Sequence, residues 1–175
     1  MSQSVVLGKT GHGDVDKWGD KISHLRFLLR QRQWTLGLAE SCTGGLLSSW
    51  VTQISGASDF FCGAIVCYHR RVKENILDVP QHILKTMGEV SSPTARHMAV
   101  GAQMSLQCDV ALAITGIAGP AGGSVEKPVG TVCFAVVAPG FAQELTHYFP
   151  KHWSRGEIQQ AAAHFGLDLL VRACE

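Results

Sequence analysis

The stretch Val110-Ala111-Leu112-Ala113-Ile114-Thr115 is apolar up to its last residue and runs straight into Gly116-Ile117-Ala118-Gly119-Pro120-Ala121-Gly122-Gly123. So short a continuous apolar run suits a strand covered on both faces, and a strand covered twice needs helices above and below its sheet. The glycines and proline after it can extend neither helix nor strand, so the chain must open into a loop at the strand's carboxyl end.

The other segments fit that frame. Trp18, Ile22, Leu25 and Leu29, preceded by Val15, recur at helical spacing and predict a first helix ending near Gln33. A short strand follows over 35–39, then the polar turn Glu40-Ser41-Cys42-Thr43-Gly44-Gly45, then a helix carrying Leu46, Leu47, Trp50, Val51 and Ile54, closed by Gly56. The run 62–68 predicts a second strand buried on both faces. A charged helical turn over 69–77, a short segment from Pro80 to Met87 and a helix over 91–106 with Pro93 in its first turn come next. Strands over 129–138 and 143–149 flank Pro139-Gly140 as a hairpin, and Ser154 with Glu157 has the spacing of a capping box for the last helix. This order predicts an α/β protein, a three-layer α/β/α sandwich with a mixed, mostly parallel sheet. Residues 15–175 are expected to form one domain, preceded by a loose arm over the glycine-rich 1–14.

Composition narrows the function. The chain of 175 residues is 46% hydrophobic and 17% charged, which argues against disorder. Fifteen Lys and Arg nearly balance fourteen Asp and Glu, so no basic surplus marks a nucleic-acid partner. The longest apolar run, 132–138, is seven residues, against about 20 needed to span a bilayer. With no basic-then-apolar leader at the start, the expectation is a cytoplasmic protein. Six scattered cysteines and eight scattered histidines show no ligand spacing, so the cysteines are expected to be buried thiols and no metal is expected.

In open α/β folds ligands gather at the carboxyl ends of the strands. Ser41 follows the first strand, Tyr68 ends the second with Lys73 five residues on, and Thr115 ends the third. A serine before two glycines at a strand-to-helix turn can sit beside free N–H groups able to hold an oxyanion; equally, Ser41 or Thr43 can cap the helix. A lysine, ordinarily near pKa 10.4, becomes a base only where burial or neighbouring cations favour its neutral form, and Lys73 reads equally as a solvated surface lysine. Tyr68 reads as a core aromatic or as a proton relay. The loop 115–123 can present N–H groups to an anion or be a tight turn. Arg155 at the start of the last helix opposes the helix dipole, which points to an anionic partner.

Taken together, Ala39-Glu40-Ser41-Cys42-Thr43-Gly44-Gly45, Tyr68 with Lys73, Thr115-Gly116-Ile117-Ala118-Gly119-Pro120 and Glu126-Lys127-Pro128-Val129-Gly130-Thr131-Val132 resemble the C-terminal domain of the competence/damage-inducible protein CinA. The resemblance covers roughly 20–172. Stand-alone members of that family, without the long N-terminal domain, are nicotinamide mononucleotide deamidases of the PncC type. The resemblance implies an amidohydrolase that converts nicotinamide mononucleotide to nicotinic acid mononucleotide and ammonia. Ser41 would be the nucleophile and Lys73 its base, directly or through Tyr68, with Thr115 completing the catalytic set. Substrate contacts would come from Cys42, Thr43, Gly44, Gly45, Gly116, Gly119 and Arg155. No metal or cofactor is implied. The alternative is a catalytically weak homologue that binds a nucleotide or regulates.

The sequence departs from the family's pattern in three places. His69-Arg70 stands where Ser-Asn is common, which would bring a cation close to Lys73. Trp153-Ser154 stands where Gly-Asp is common, which would set a bulky ring by the pocket, and Gln159 stands where an arginine is common. The expected partner is a small nucleotide, with neither nucleic acid nor membrane. Apolar surface from Trp18, Trp50 and Trp153 predicts a homo-oligomer.

Overall fold

The computed structural model describes residues 15–175, and the arm expected over 1–14 lies outside the described residues. The elements run α1 (Val15–Arg32), β1 (Leu36–Glu40), α2 (Leu46–Thr52), a 3₁₀ turn (Ala57–Asp59), β2 (Phe61–Val66), α3 (Arg70–Asn75), α4 (Gln81–Thr86), α5 (Ser92–Leu106), β3 (Val110–Gly116), β4 (Thr131–Ala138), β5 (Phe141–Tyr148) and α6 (Arg155–Cys174). The strands form one mixed sheet in the order β2-β1-β3-β4-β5. β1 pairs parallel with β2 and β3, whereas β3–β4 and β4–β5 are antiparallel, so β1, β2, β3 and β5 point one way and β4 alone runs against them.

The two faces of the sheet are built differently. Leu36, Leu38, Val110, Leu112, Ile114, Val132, Phe134 and Val136 meet the buried sides of α1, α2 and α6. Ala39, Ala111, Ala113, Cys133 and Ala135 face the other way, against Ala95, Met98, Ala99 and Ala102 of α5. Small side chains on both partners let α5 lie close to the sheet, and alternation along each strand assigns the faces. The result is the expected α/β/α arrangement.

Local chemistry sets several element ends. The Ser91 hydroxyl accepts from the Thr94 N–H to cap α5, with Pro93 in the first turn. Ser154 and Glu157 form the reciprocal capping box of α6. Ala138 pairs with Phe141 across a two-residue turn, so β5 begins two residues earlier than its polar start suggested.

Three expectations are corrected. β2 is an edge strand with Cys62 and Val66 exposed, because nothing pairs with its outer side among the described residues. α2 stops at Thr52, and Gly56, with φ 74°, starts the following 3₁₀ turn rather than ending the helix. Trp18 and Trp50 offer little apolar surface: they are buried, with rings stacked 5.5 Å apart. No helix among the described residues is long and apolar enough to cross a membrane.

The close packing of α5 predicts a glycine effect. A Cβ at Gly101 would lie 2.0 Å from the Leu77 carbonyl oxygen, whereas one at Gly19 meets nothing within 4 Å. Gly101→Ala should therefore cost about 2–4 kcal/mol, while Gly19→Ala in α1 should be neutral or gain up to ~1 kcal/mol. Urea midpoints of the two variants check this, and equal midpoints would refute it.

Candidate active site

Because β1, β2 and β3 are parallel, their carboxyl ends share one edge of the sheet. The chain leaves β1 toward β2 on one side while β3 lies on the other, and a crevice opens where such connections diverge. A cavity of about 360 Å³ occupies that place. Ser41, Cys42, Tyr68, Lys73, Thr115, Gly116, Gly119 and Arg155 all line it, together with Glu89, which the sequence reading did not single out.

Ser41 is pinned from both neighbours. Its N–H donates to the Ile114 carbonyl of β3, and its own carbonyl accepts from the Gly44 N–H in the turn. Neither Ser41 nor Thr43 caps α2. That task belongs to the fully buried Glu40, whose carboxylate accepts from the N–H groups of Gly45 (3.1 Å), Leu47 (3.2 Å) and Ser48 (2.8 Å). A carboxylate at a helix N-terminus satisfies orphan donors and complements the dipole. The available signal was a lone acid ending an apolar strand just before a helix start.

This placement also corrects the expectation for Thr43, Gly44 and Gly45. They do not line the cavity, and the N–H groups of Gly44 and Gly45 are already engaged by Ser41 and Glu40. The N-terminus of α2 is therefore filled by the protein's own carboxylate and is not open to an anion.

Lys73 is 1% exposed, so its surface reading is overturned. Its Nζ lies 2.8 Å from the Cys67 carbonyl oxygen, 3.2 Å from Ser41 Oγ and 3.3 Å from Glu89 Oε2. Three oxygens around one buried nitrogen offset the cost of removing it from water. α3 delivers it: His69 Nδ1 accepts from the Arg71 N–H to cap the helix, and Lys73 follows one turn on. Arg70 adds no cation beside Lys73, because its Nε donates to Glu74 Oε1 at 2.8 Å.

Tyr68 is 62% exposed, neither in the core nor between Ser41 and Lys73. Its hydroxyl accepts from Arg155 Nη2 (3.1 Å), while Arg155 Nη1 donates to the Gly119 carbonyl (3.0 Å). Arg155 thus ties the start of α6 to the glycine-rich loop and to the end of β2's exit. Thr115 is buried, and its Oγ1 donates to the Glu89 carbonyl at 2.9 Å. Gln159 Nε2 donates to the Cys42 carbonyl at 2.8 Å, bracing the serine turn from α6. Trp153 lies near Phe149, with ring centroids 6.2 Å apart, and lines a separate cavity with Trp18 and Trp50 rather than this one.

Burial pushes the Cys42 thiol up to about 12, with smaller opposing contributions from nearby hydrogen bonding and cations. It stays protonated near neutral pH and is a poor nucleophile, whereas Ser41 next to it faces an amine.

The fold and the cavity define an α/β protein with a buried serine–lysine pair at the carboxyl edge of its sheet. Residues 20–174 match the CinA C-terminal domain, and the chain belongs to that family. It is 49% identical over 144 residues to a CinA-like protein of Syntrophobacter fumaroxidans, covering 82% of this chain and 34% of that protein. A CinA-like protein of Pseudothermotoga lettingae is 42% identical over 145 residues, 83% of this chain and 35% of its own length. The chain therefore spans about a third of the curated relatives it matches. Among solved structures, the competence/damage inducible protein CihA of Agrobacterium tumefaciens superposes with a TM-score of 0.87 at 32% identity, covering 96% of this chain and 100% of that one. A competence-damaged protein (CinA) superfamily member from Escherichia coli gives 0.85 at 32% identity, with 93% and 94% covered.

The Glu40 cap yields a prediction. Glu40→Ala leaves three donors at a buried helix start without their acceptor and should lower stability by about 2–4 kcal/mol. Glu40→Gln, which keeps one oxygen, should lose roughly half as much. Urea denaturation of both variants decides it, and a midpoint unchanged in Glu40→Ala would show that the carboxylate does not hold the turn.

Proposed function

We propose that this domain is an amidohydrolase that deamidates nicotinamide mononucleotide, using Ser41 as nucleophile and Lys73 as base. The observation that carries the reading is the 3.2 Å approach of Lys73 Nζ to Ser41 Oγ, both buried at the wall of one cavity. A neutral amine has two N–H groups and one lone pair. The Cys67 carbonyl and the Glu89 carboxylate can accept those two N–H groups, which leaves the lone pair for the Ser41 hydroxyl.

In this reading Ser41 Oγ attacks the carboxamide carbon and its proton passes to Lys73 Nζ. The C–N bond then breaks, and Nζ returns the proton to the departing nitrogen, which leaves as ammonia. Water adds to the ester while Lys73 takes its proton, and Nζ returns that proton to Ser41 Oγ as the C–O bond breaks and the acid leaves. The balance is one carboxamide and one water giving one acid and one ammonia. Transfer between Ser41 and Lys73 needs no intermediary, since Tyr68 is engaged with Arg155 at the rim. For the oxyanion the donor on the cavity wall next to Ser41 is the N–H of Cys42, which donates to no other residue among the described hydrogen bonds. The guanidinium of Arg155, beside the loop glycines, supplies positive charge for the nucleotide's phosphate.

Ammonia release from nicotinamide mononucleotide should fall at least about a thousandfold in Ser41→Ala and in Lys73→Ala, with far-ultraviolet circular dichroism unchanged. Wild-type rates in Ser41→Ala would remove the serine from the mechanism. Tight nucleotide binding without ammonia release by the wild type would make the domain a nucleotide-binding homologue instead.

A further inference from the structure

Four consecutive carbonyls next to the cavity are each held by a side chain. Lys127 Nζ donates to Met87 O and Val90 O, both at 2.7 Å. Thr94 Oγ1 and Ser91 Oγ donate to Gly88 O at 2.7 and 3.2 Å, and Thr115 Oγ1 donates to Glu89 O at 2.9 Å. A loop left to solvent has no need of this many fixed donors, and the one charged side chain that it carries inward is Glu89. Its Oε2 lies 3.3 Å from Lys73 Nζ, while Oε1 accepts from no described donor, and the residue lines the cavity that holds Ser41.

We infer that Glu89 is a specificity-determining residue that selects a primary carboxamide over the corresponding carboxylate. The inference rests on the amidase reading above. A carboxamide bound with its carbon at Ser41 Oγ has two N–H donors to place. A carboxylate oxygen about one hydrogen bond beyond Lys73 Nζ is an acceptor for one of them. The hydrolysed product has no N–H and carries a negative charge, so the same oxygen opposes it. Specificity then comes from an attraction for the substrate joined to a repulsion of its product. It also favours departure of the acid after each turnover, since a like charge set against a bound carboxylate weakens its hold. Holding the backbone at Met87, Gly88, Glu89 and Val90 keeps this acceptor in place without using Glu89's own carboxylate.

The test is calorimetric binding of nicotinamide mononucleotide and of nicotinic acid mononucleotide to Ser41→Ala protein, with and without Glu89→Gln. Blocking the nucleophile prevents turnover during the titration. The glutamine is isosteric and keeps an acceptor oxygen, but it removes the negative charge. Affinity for the acid should rise about tenfold while that for the amide changes less than about threefold. In turnover, Glu89→Gln should correspondingly show stronger product inhibition. An unchanged ratio of the two affinities, in protein whose wild type releases ammonia, overturns the role of Glu89 alone. A wild type that neither binds nor deamidates the amide overturns the amidase reading, and this inference with it.

Discussion

The site depends on a carboxylate that takes no part in the proposed chemistry. Glu40 ends β1 and caps α2, so strand and helix are joined by three hydrogen bonds across a turn only a few residues long. Ser41 lies inside that turn, with its N–H already committed to β3. A serine on a free loop would lose entropy each time it met its base, whereas here the backbone is fixed from two strands and a helix before any ligand arrives. Since Glu40 occupies the helix start, an anionic ligand must find its charge partner elsewhere, and Arg155 is the cation on the cavity wall that no carboxylate neutralises among the described ion pairs.

Burying Lys73 is the second commitment. A lysine almost wholly removed from water is tolerable only if its hydrogen-bonding groups are met, and a carbonyl, a hydroxyl and a carboxylate meet them. These oxygens come from the residue after β2, the turn after β1 and the loop before α5. The lysine therefore joins three segments that share no local sequence, and the geometry exists only once the parallel strands have brought their ends to one edge. Its neighbour Cys42 is kept protonated by burial, so in the proposed chemistry the thiol does not compete with the Ser41 hydroxyl.

Much of this was legible in the chain. Continuous apolar runs with glycine-rich exits announced strands in a covered sheet, and helical spacing together with the Ser154 and Glu157 pair announced α6 correctly to its cap. The position of a strand within the sheet was not legible. The segment around Cys62 to Val66 is as apolar as β3, yet it sits at an edge, because order in the sheet follows from crossovers and not from composition. Trp18 and Trp50 likewise looked like sticky surface, since a sequence cannot show that two distant rings stack on each other. Ser41, Lys73, Tyr68 and Thr115 were found because each stands at or just beyond a strand exit. Glu89 has no such marker: it lies between a glycine and a valine, and only the fold sets it beside a lysine sixteen positions earlier.

The places where the chain departs from the family's pattern gain meaning from their neighbours. Arg70 is spent on Glu74, and Trp153 turns toward Phe149 and a different cavity, so neither changes the wall between Ser41 and Lys73. Gln159 does reach the site, but as a neutral brace on the Cys42 carbonyl. An arginine there would add a second cation above the serine turn, whereas the amide holds the turn and adds no charge. The fixed charges at this end of the cavity are then Glu89, beside the Lys73 nitrogen, and Arg155 at the rim. A cation at the rim, and beside Ser41 a carboxylate that accepts N–H groups and opposes anions, is a distribution suited to a ligand that is anionic at one end and an uncharged N–H donor at the other.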